Sequence, residues 1–140
     1  MKLYNGEGMI LGRLAAKVAK DALMGEEVNV VNCEKVIISG SKEVSYERAK
    51  VKRDRGGHPM RRQLHSRLPE RWVRRSIRGM LPWKQARGKE AFERIMCFRG
   101  VPAHFAQQEM IVLEDSSAKK LPNLKFTTIG DICKHIGGKQ

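Results

Sequence analysis

The run Val28-Asn-Val-Val-Asn32 decides how the chain folds. Its β-branched density suits a short strand buried on both faces, as at the centre of a parallel sheet. A second apolar cluster, Val36-Ile-Ile38, follows and closes at Ser39-Gly40. Upstream, from about Arg13 to Met24, Leu14, Ala15, Val18, Ala22 and Leu23 recur at helical spacing, with Leu11 one turn ahead. Lys17, Lys20 and Asp21 fall on the opposite side, and Gly25 is placed to stop the helix. Gly6, Gly8 and Gly12 are spaced G-x-G-x-x-x-G without a Gly-Lys-Ser/Thr, and there is little room for a strand before them. They are expected to serve turns and packing rather than a phosphate loop.

Downstream, Ser41 can cap a helix from about Lys42 to Arg53, whose apolar face is thin, Val44 and Val51. Arg48, Lys50, Lys52 and Arg53 crowd its last turns and suit the helix dipole, a structural role for part of their charge. Gly56, Gly57 and Pro59 stop regular structure, and the segment Asp54 to Leu68 has few apolar anchors. It is expected to be poorly ordered alone and to order on a polyanion. Pro69 fits the first turn of a helix reaching about Leu81. Trp72, Val73, Ile77, Met80 and Leu81 give it an apolar face, with Trp72 as a core anchor; Arg71, Arg74, Arg75 and Arg78 give an opposed basic one. After Pro82, a helix from about Lys89 to Met96 turns Ala91, Phe92, Ile95 and Met96 inward. Met110 to Leu113 and Phe126 to Ile129 read as strands, and Asp131 to Ile136 as a terminal helix. Strands alternating with helices give a single α/β domain over residues 1–140 with a mainly parallel sheet.

Charge points to the partner. The stretch Arg48 to Arg99 holds 17 of the 28 lysines and arginines and only four acids, so it carries the whole formal charge of +13. Thirteen of the fourteen arginines lie there; Arg13 is the exception. A solvated face usually mixes both signs and favours Lys and Glu. Guanidinium forks suit phosphate oxygens and stack on bases, which points to a nucleic acid.

Other chemistries lack their residues. Cys33, Cys97 and Cys133 are odd in number and never in a C-x-x-C pair, so they read as small buried hydrophobes in a reducing compartment. His58, His65, His104 and His135 show no metal-ligand spacing; His58 and His65 flank an arginine cluster and suit RNA contact. The adjacent acids Glu26–Glu27 and Glu114–Asp115 are more simply solvated than magnesium-binding. No G-x-S-x-G elbow occurs. No apolar run approaches the ~18 residues that span a bilayer, and the first residues do not form a signal peptide, so a cytosolic protein is expected. A nucleic-acid enzyme would need acids or a phosphate loop beside the basic face. A DNA-binding regulator would need a helix-turn-helix or zinc-finger signature.

Several blocks resemble a known family. Gly8-Met-Ile-Leu-Gly-Arg-Leu-Ala-Ala-Lys-Val-Ala-Lys20 and Val30-Val-Asn-Cys-Glu-Lys-Val-Ile-Ile-Ser-Gly40 are similar to the universal large-subunit ribosomal protein thirteen family. So is Arg78-Gly-Met-Leu-Pro-Trp-Lys84, with Arg87-Gly-Lys89, Ala91, Arg94, Phe98, Gly100 and Pro102 behind it. The arginine-rich middle and the Met-Leu-Pro block look closer to the archaeal and eukaryotic branch, and the long C-terminal helical extension of eukaryotic members is missing. The resemblance implies a three-layer α/β/α domain with a four-stranded parallel sheet. It implies large-subunit ribosomal RNA and neighbouring large-subunit proteins as partners, a role in subunit assembly and translation, and a cytoplasmic location. It brings no catalytic site to carry across, and no cofactor, metal, membrane or small-molecule substrate is expected. The expected RNA contacts are Arg53, Arg55, His58, Arg61, Arg62, Arg67, Arg71, Arg74, Arg75, Arg78, Lys84, Arg87 and Lys89.

Overall fold

A computed structural model describes residues 1–55 and 65–138. Five strands and five helices are present among them: β1 (Lys2–Asn5), α1 (Leu11–Leu23), β2 (Val28–Val31), β3 (Ile37–Ser39), α2 (Lys42–Asp54), α3 (Pro69–Arg78), α4 (Ala86–Glu93), β4 (Ile95–Cys97), β5 (Phe126–Thr128) and α5 (Ile129–His135). The fold is mixed α/β with a mainly parallel sheet. The strand β2 is central and wholly buried, as its composition requires, with β1 and β4 parallel on either side.

Four strands are expected in the parallel sheet. Three strands form the parallel sheet, while β3 pairs antiparallel with β5 in a separate two-stranded unit. The Met110–Leu113 segment, expected as a strand, meets β1 through one bridge: Ile111 donates to the Leu3 carbonyl (2.7 Å), and Asn5 donates to the Ile111 carbonyl (3.1 Å).

Parallel register puts Tyr4, Val30 and Cys97 side by side on one face of the sheet. That face packs against Leu14, Ala15, Val18 and Ala22 of α1, Val73 and Ile77 of α3, and Ala91 of α4. The other face is covered around the 3-10 turn Ala103–Phe105: Leu3 and Val31 meet Phe105, with Phe98 and Met110 beside them. A further cluster of Ala49, Ile132 and Ile136, flanked by Ile38, Tyr46 and Trp72, joins α2 to α5.

Two strands escape the sequence reading. The segment read as too short for a strand forms β1. The stretch given to the end of a helix, Ile95-Met96, opens β4, which leaves Met96 45% exposed. Helix α4 accordingly begins at Ala86 and ends at Glu93, not at Met96. Val44 and Val51 do not form the buried face of α2; both are exposed and Ala49 takes that place. Met80 lies beyond the end of α3 and is 45% exposed. Ser41 does cap α2, accepting from the Val44 N–H (3.4 Å). Gly6 serves packing, as expected: a Cβ there would lie 2.6 Å from Val36 Cγ2. The cysteines are free; Cys33 and Cys133 are buried and Cys97 half-buried.

Asp21 is the largest departure. Read as a solvent-facing residue, it is 2% exposed beneath β1. Tyr4 donates its hydroxyl to Asp21 Oδ2, while Lys2 Nζ and Lys17 Nζ stand 3.4 and 3.7 Å from Oδ1. Burial pushes the carboxyl's pKa upward, but Tyr4, Lys17 and Lys2 together hold it below the ordinary value. The same burial and the neighbouring carboxylate push the Tyr4 hydroxyl upward. Removing the hydroxyl in Tyr4→Phe strips a buried acceptor of its partner, and chemical denaturation should show a loss of roughly 1–3 kcal/mol. A depressed carboxyl stabilises the fold above its unfolded pKa and loses that contribution as pH falls through the folded one. The drop in urea midpoint from about pH 7 to about pH 3 should therefore be smaller in Asp21→Asn than in the parent chain. Equal drops would contradict this role.

Candidate nucleic-acid interface

Helix α3 builds the site by burying one side. Val73 and Ile77 are fully buried, four residues apart, against α1 and β4. The same geometry turns Arg71, Arg74, Arg75 and Arg78 away from the core. All four line one cleft with Lys52 of α2 and His65, a cavity of about 560 Å³.

Aromatic rings set the guanidiniums. The Arg74 guanidinium lies over the Phe92 ring at 4.4 Å, and its Nη2 donates to the Phe92 carbonyl at 3.5 Å. The Arg78 guanidinium lies over Trp83 at 5.4 Å, and Trp83 meets Phe92 edge to face at 5.0 Å. Such stacking holds a cation in place without neutralising it. Trp72 is a core anchor only in part. It is half-buried against the core, its Nε1 donates to the Ser66 carbonyl at 2.6 Å, and its ring also forms a wall of the cleft.

The remaining cations divide by use. Lys84, Arg87 and Lys89 are exposed on the corner after Pro82 and on α4. That corner is tightly drawn: a Cβ on Gly88 would lie 2.2 Å from the Pro82 carbonyl oxygen, so only glycine lets α4 approach. Arg55 is exposed at the end of α2. Arg67 donates to the Gly137 carbonyl at 3.1 Å, with the half-buried Arg53 beside the same turn, so both lie at the end of α5 rather than in the cleft. Arg13, the arginine outside the basic stretch, ties α1 to the Asp115 carbonyl at 2.8 Å. His58, Arg61 and Arg62, with the expectation about order in the segment that contains them, lie outside the described residues.

Lys52 and Phe92 were not among the expected contacts, whereas His65 was read as suited to RNA contact. Lys52 read as a cation at a helix end, and nothing local places it beside α3. His65 had a signal, its position next to the arginines.

Comparison with known proteins gives the family. A family model described as Ribosomal protein L13 matches residues 1–104. The chain belongs to the ribosomal protein L13 family. A Methanococcoides burtonii relative, named large ribosomal subunit protein uL13, is 40% identical over 99% of both chains. An Archaeoglobus fulgidus protein of the same name is 40% identical, covering 96% of this chain and 86% of its own length. The Natronomonas pharaonis uL13 protein is 42% identical over 91% of this chain and 85% of its own. The Pro82 corner, with Arg78 before it and Gly88 packed against it, lies inside the matched region.

The cleft leaves its mark on His65. Burial, then the positive charges of Arg75 and Lys52, hold its imidazole below the ordinary 6.5. The folded protein thus favours the neutral ring, and acidification through the ordinary histidine range costs stability there. In an NMR titration of the free protein, His65 should titrate below 6.5, and a polyanion occupying the cleft should raise its midpoint. A midpoint at or above 6.5 in the free protein would contradict this electrostatic picture.

Proposed function

We propose that this protein is a structural, non-enzymatic constituent of the large ribosomal subunit in the cytoplasm. In this reading it binds large-subunit rRNA, contacts neighbouring subunit proteins, and supports subunit assembly and translation. Membership of the L13 family and the names of its relatives support this. The single observation that carries the RNA contact is the gathering of Lys52, Arg71, Arg74, Arg75 and Arg78 round one cleft. Lys84, Arg87 and Lys89 extend the contact along the Pro82 corner. Arg53, Arg55 and Arg67 extend it on the other side, and His58, Arg61 and Arg62 add to the contact. Recognition follows RNA backbone and shape more than base sequence.

A finer reading of the fold goes with this proposal. The chain is one domain, and the Ile111 segment is the shortened fourth strand of the parallel sheet, next to β1. The bridge to Leu3 and Asn5 supports that placement. The family's three-layer arrangement would then have the 98–111 segment in place of one helical layer.

The test is binding to large-subunit rRNA across salt. With about 6–10 phosphates contacted, affinity should fall ~10³–10⁵-fold between about 50 and 200 mM salt, a range calibrated on DNA. Replacing the exposed Arg71 and Arg87 together by alanine should lower the salt slope by about 2 and leave the melting temperature unchanged. Binding that ignores salt would remove the mechanism.

A further inference from the structure

The cleft on α3 has features that a row of phosphate contacts does not require. Its volume, about 560 Å³, lies within the ~300–1,000 Å³ of clefts that take small organic ligands. A phosphate group fills only a small part of that. Two of its walls are aromatic, Trp72 and Phe92, and none of its described lining residues is acidic. The Nε1 bond to Ser66 fixes the Trp72 ring in place. The Arg74 guanidinium, 4.4 Å over the Phe92 ring, presents a second stacking plane, and its Nε is buried without an acceptor among the described residues. An isolated phosphate makes no use of π faces, whereas an unstacked base does, on rings and guanidinium planes alike.

We infer that the cleft between α3, Lys52 and His65 receives a single unstacked nucleotide from a single-stranded stretch of RNA. The base stacks against the Trp72 and Arg74–Phe92 walls, and Lys52, Arg71 and Arg75 hold the flanking phosphates. An acceptor on the entering nucleotide supplies the partner that Arg74 Nε lacks. A continuous duplex keeps its bases stacked inside and cannot fill the cleft, so it binds through the outer cations alone. This inference rests on the RNA-binding reading above and adds to it the kind of RNA the cleft takes.

The experiment compares two labelled probes with equal phosphates on the full chain, by fluorescence anisotropy at about 0.15 M salt. One is a uridylate oligomer of about eight nucleotides; the other is its abasic sugar–phosphate counterpart. The intact oligomer should bind about tenfold more tightly, as one stacked base allows. Arg74→Lys, which keeps the charge and removes the plane, should erase most of that difference, weakening the intact oligomer far more than the abasic probe. Phe92→Leu should act the same way, with melting curves showing that both variants fold. Equal affinities for the two probes, or an oligomer that does not bind, would overturn the inference. So would displacement of the oligomer by adenosine monophosphate at comparable concentration, which would mark a mononucleotide site. Large-subunit rRNA is titrated alongside. If it binds while the probes do not differ, the nucleotide cleft alone fails. If it does not bind either, the RNA reading itself fails.

Discussion

The burial of Val73 and Ile77 is the constraint on which the interface depends. These residues press α3 onto α1 and β4, and a helix fixed on one side has no freedom about its axis on the other. Four guanidiniums at helical spacing then share one cleft as a matter of geometry. Like charges so close repel, and the fold opposes this by laying Arg74 on Phe92 and Arg78 on Trp83. Those rings are in turn held where they are by the Gly88 approach to Pro82. Core packing, ring contacts and one glycine thus position the cations before any partner arrives.

The sheet plays a supporting part through the Tyr4–Asp21 bond. It fixes the edge strand β1 to α1, the helix against which α3 packs. A charged residue in that place is stable only because Tyr4 and two lysines surround it. Asp21, Lys2 and Lys17, all outside the basic stretch, therefore serve the fold, and Arg13 on the Asp115 carbonyl does the same. Within the basic stretch, Arg94 reaches the Ala22 carbonyl at 3.4 Å, so not every arginine there is available to a partner.

What the sequence revealed follows from the range of each signal. Strong periodicity and a proline marked α3 and its two sides, and the β-branched run marked β2. The edges were harder to see. β1 is four residues with polar neighbours, and its one aromatic side chain, Tyr4, is accounted for by a carboxylate 17 positions away. Ile95 and Met96 continue the spacing of Ala91 and Phe92, so helix and strand cannot be told apart there by period alone. Asp21 sits on what looks like a polar helix stripe until β1 is laid over it. In the site, the α3 arginines were legible because they share one helix. Lys52 and Phe92 were not, because they reach the cleft from other elements.

The most direct measurement is sedimentation of the native protein in a sucrose gradient of cell extract, at low and then moderate salt. An integral subunit component held by many phosphate contacts should migrate with the large subunit and stay there through a moderate salt wash. Migration as a free small protein under both conditions would contradict the central claim.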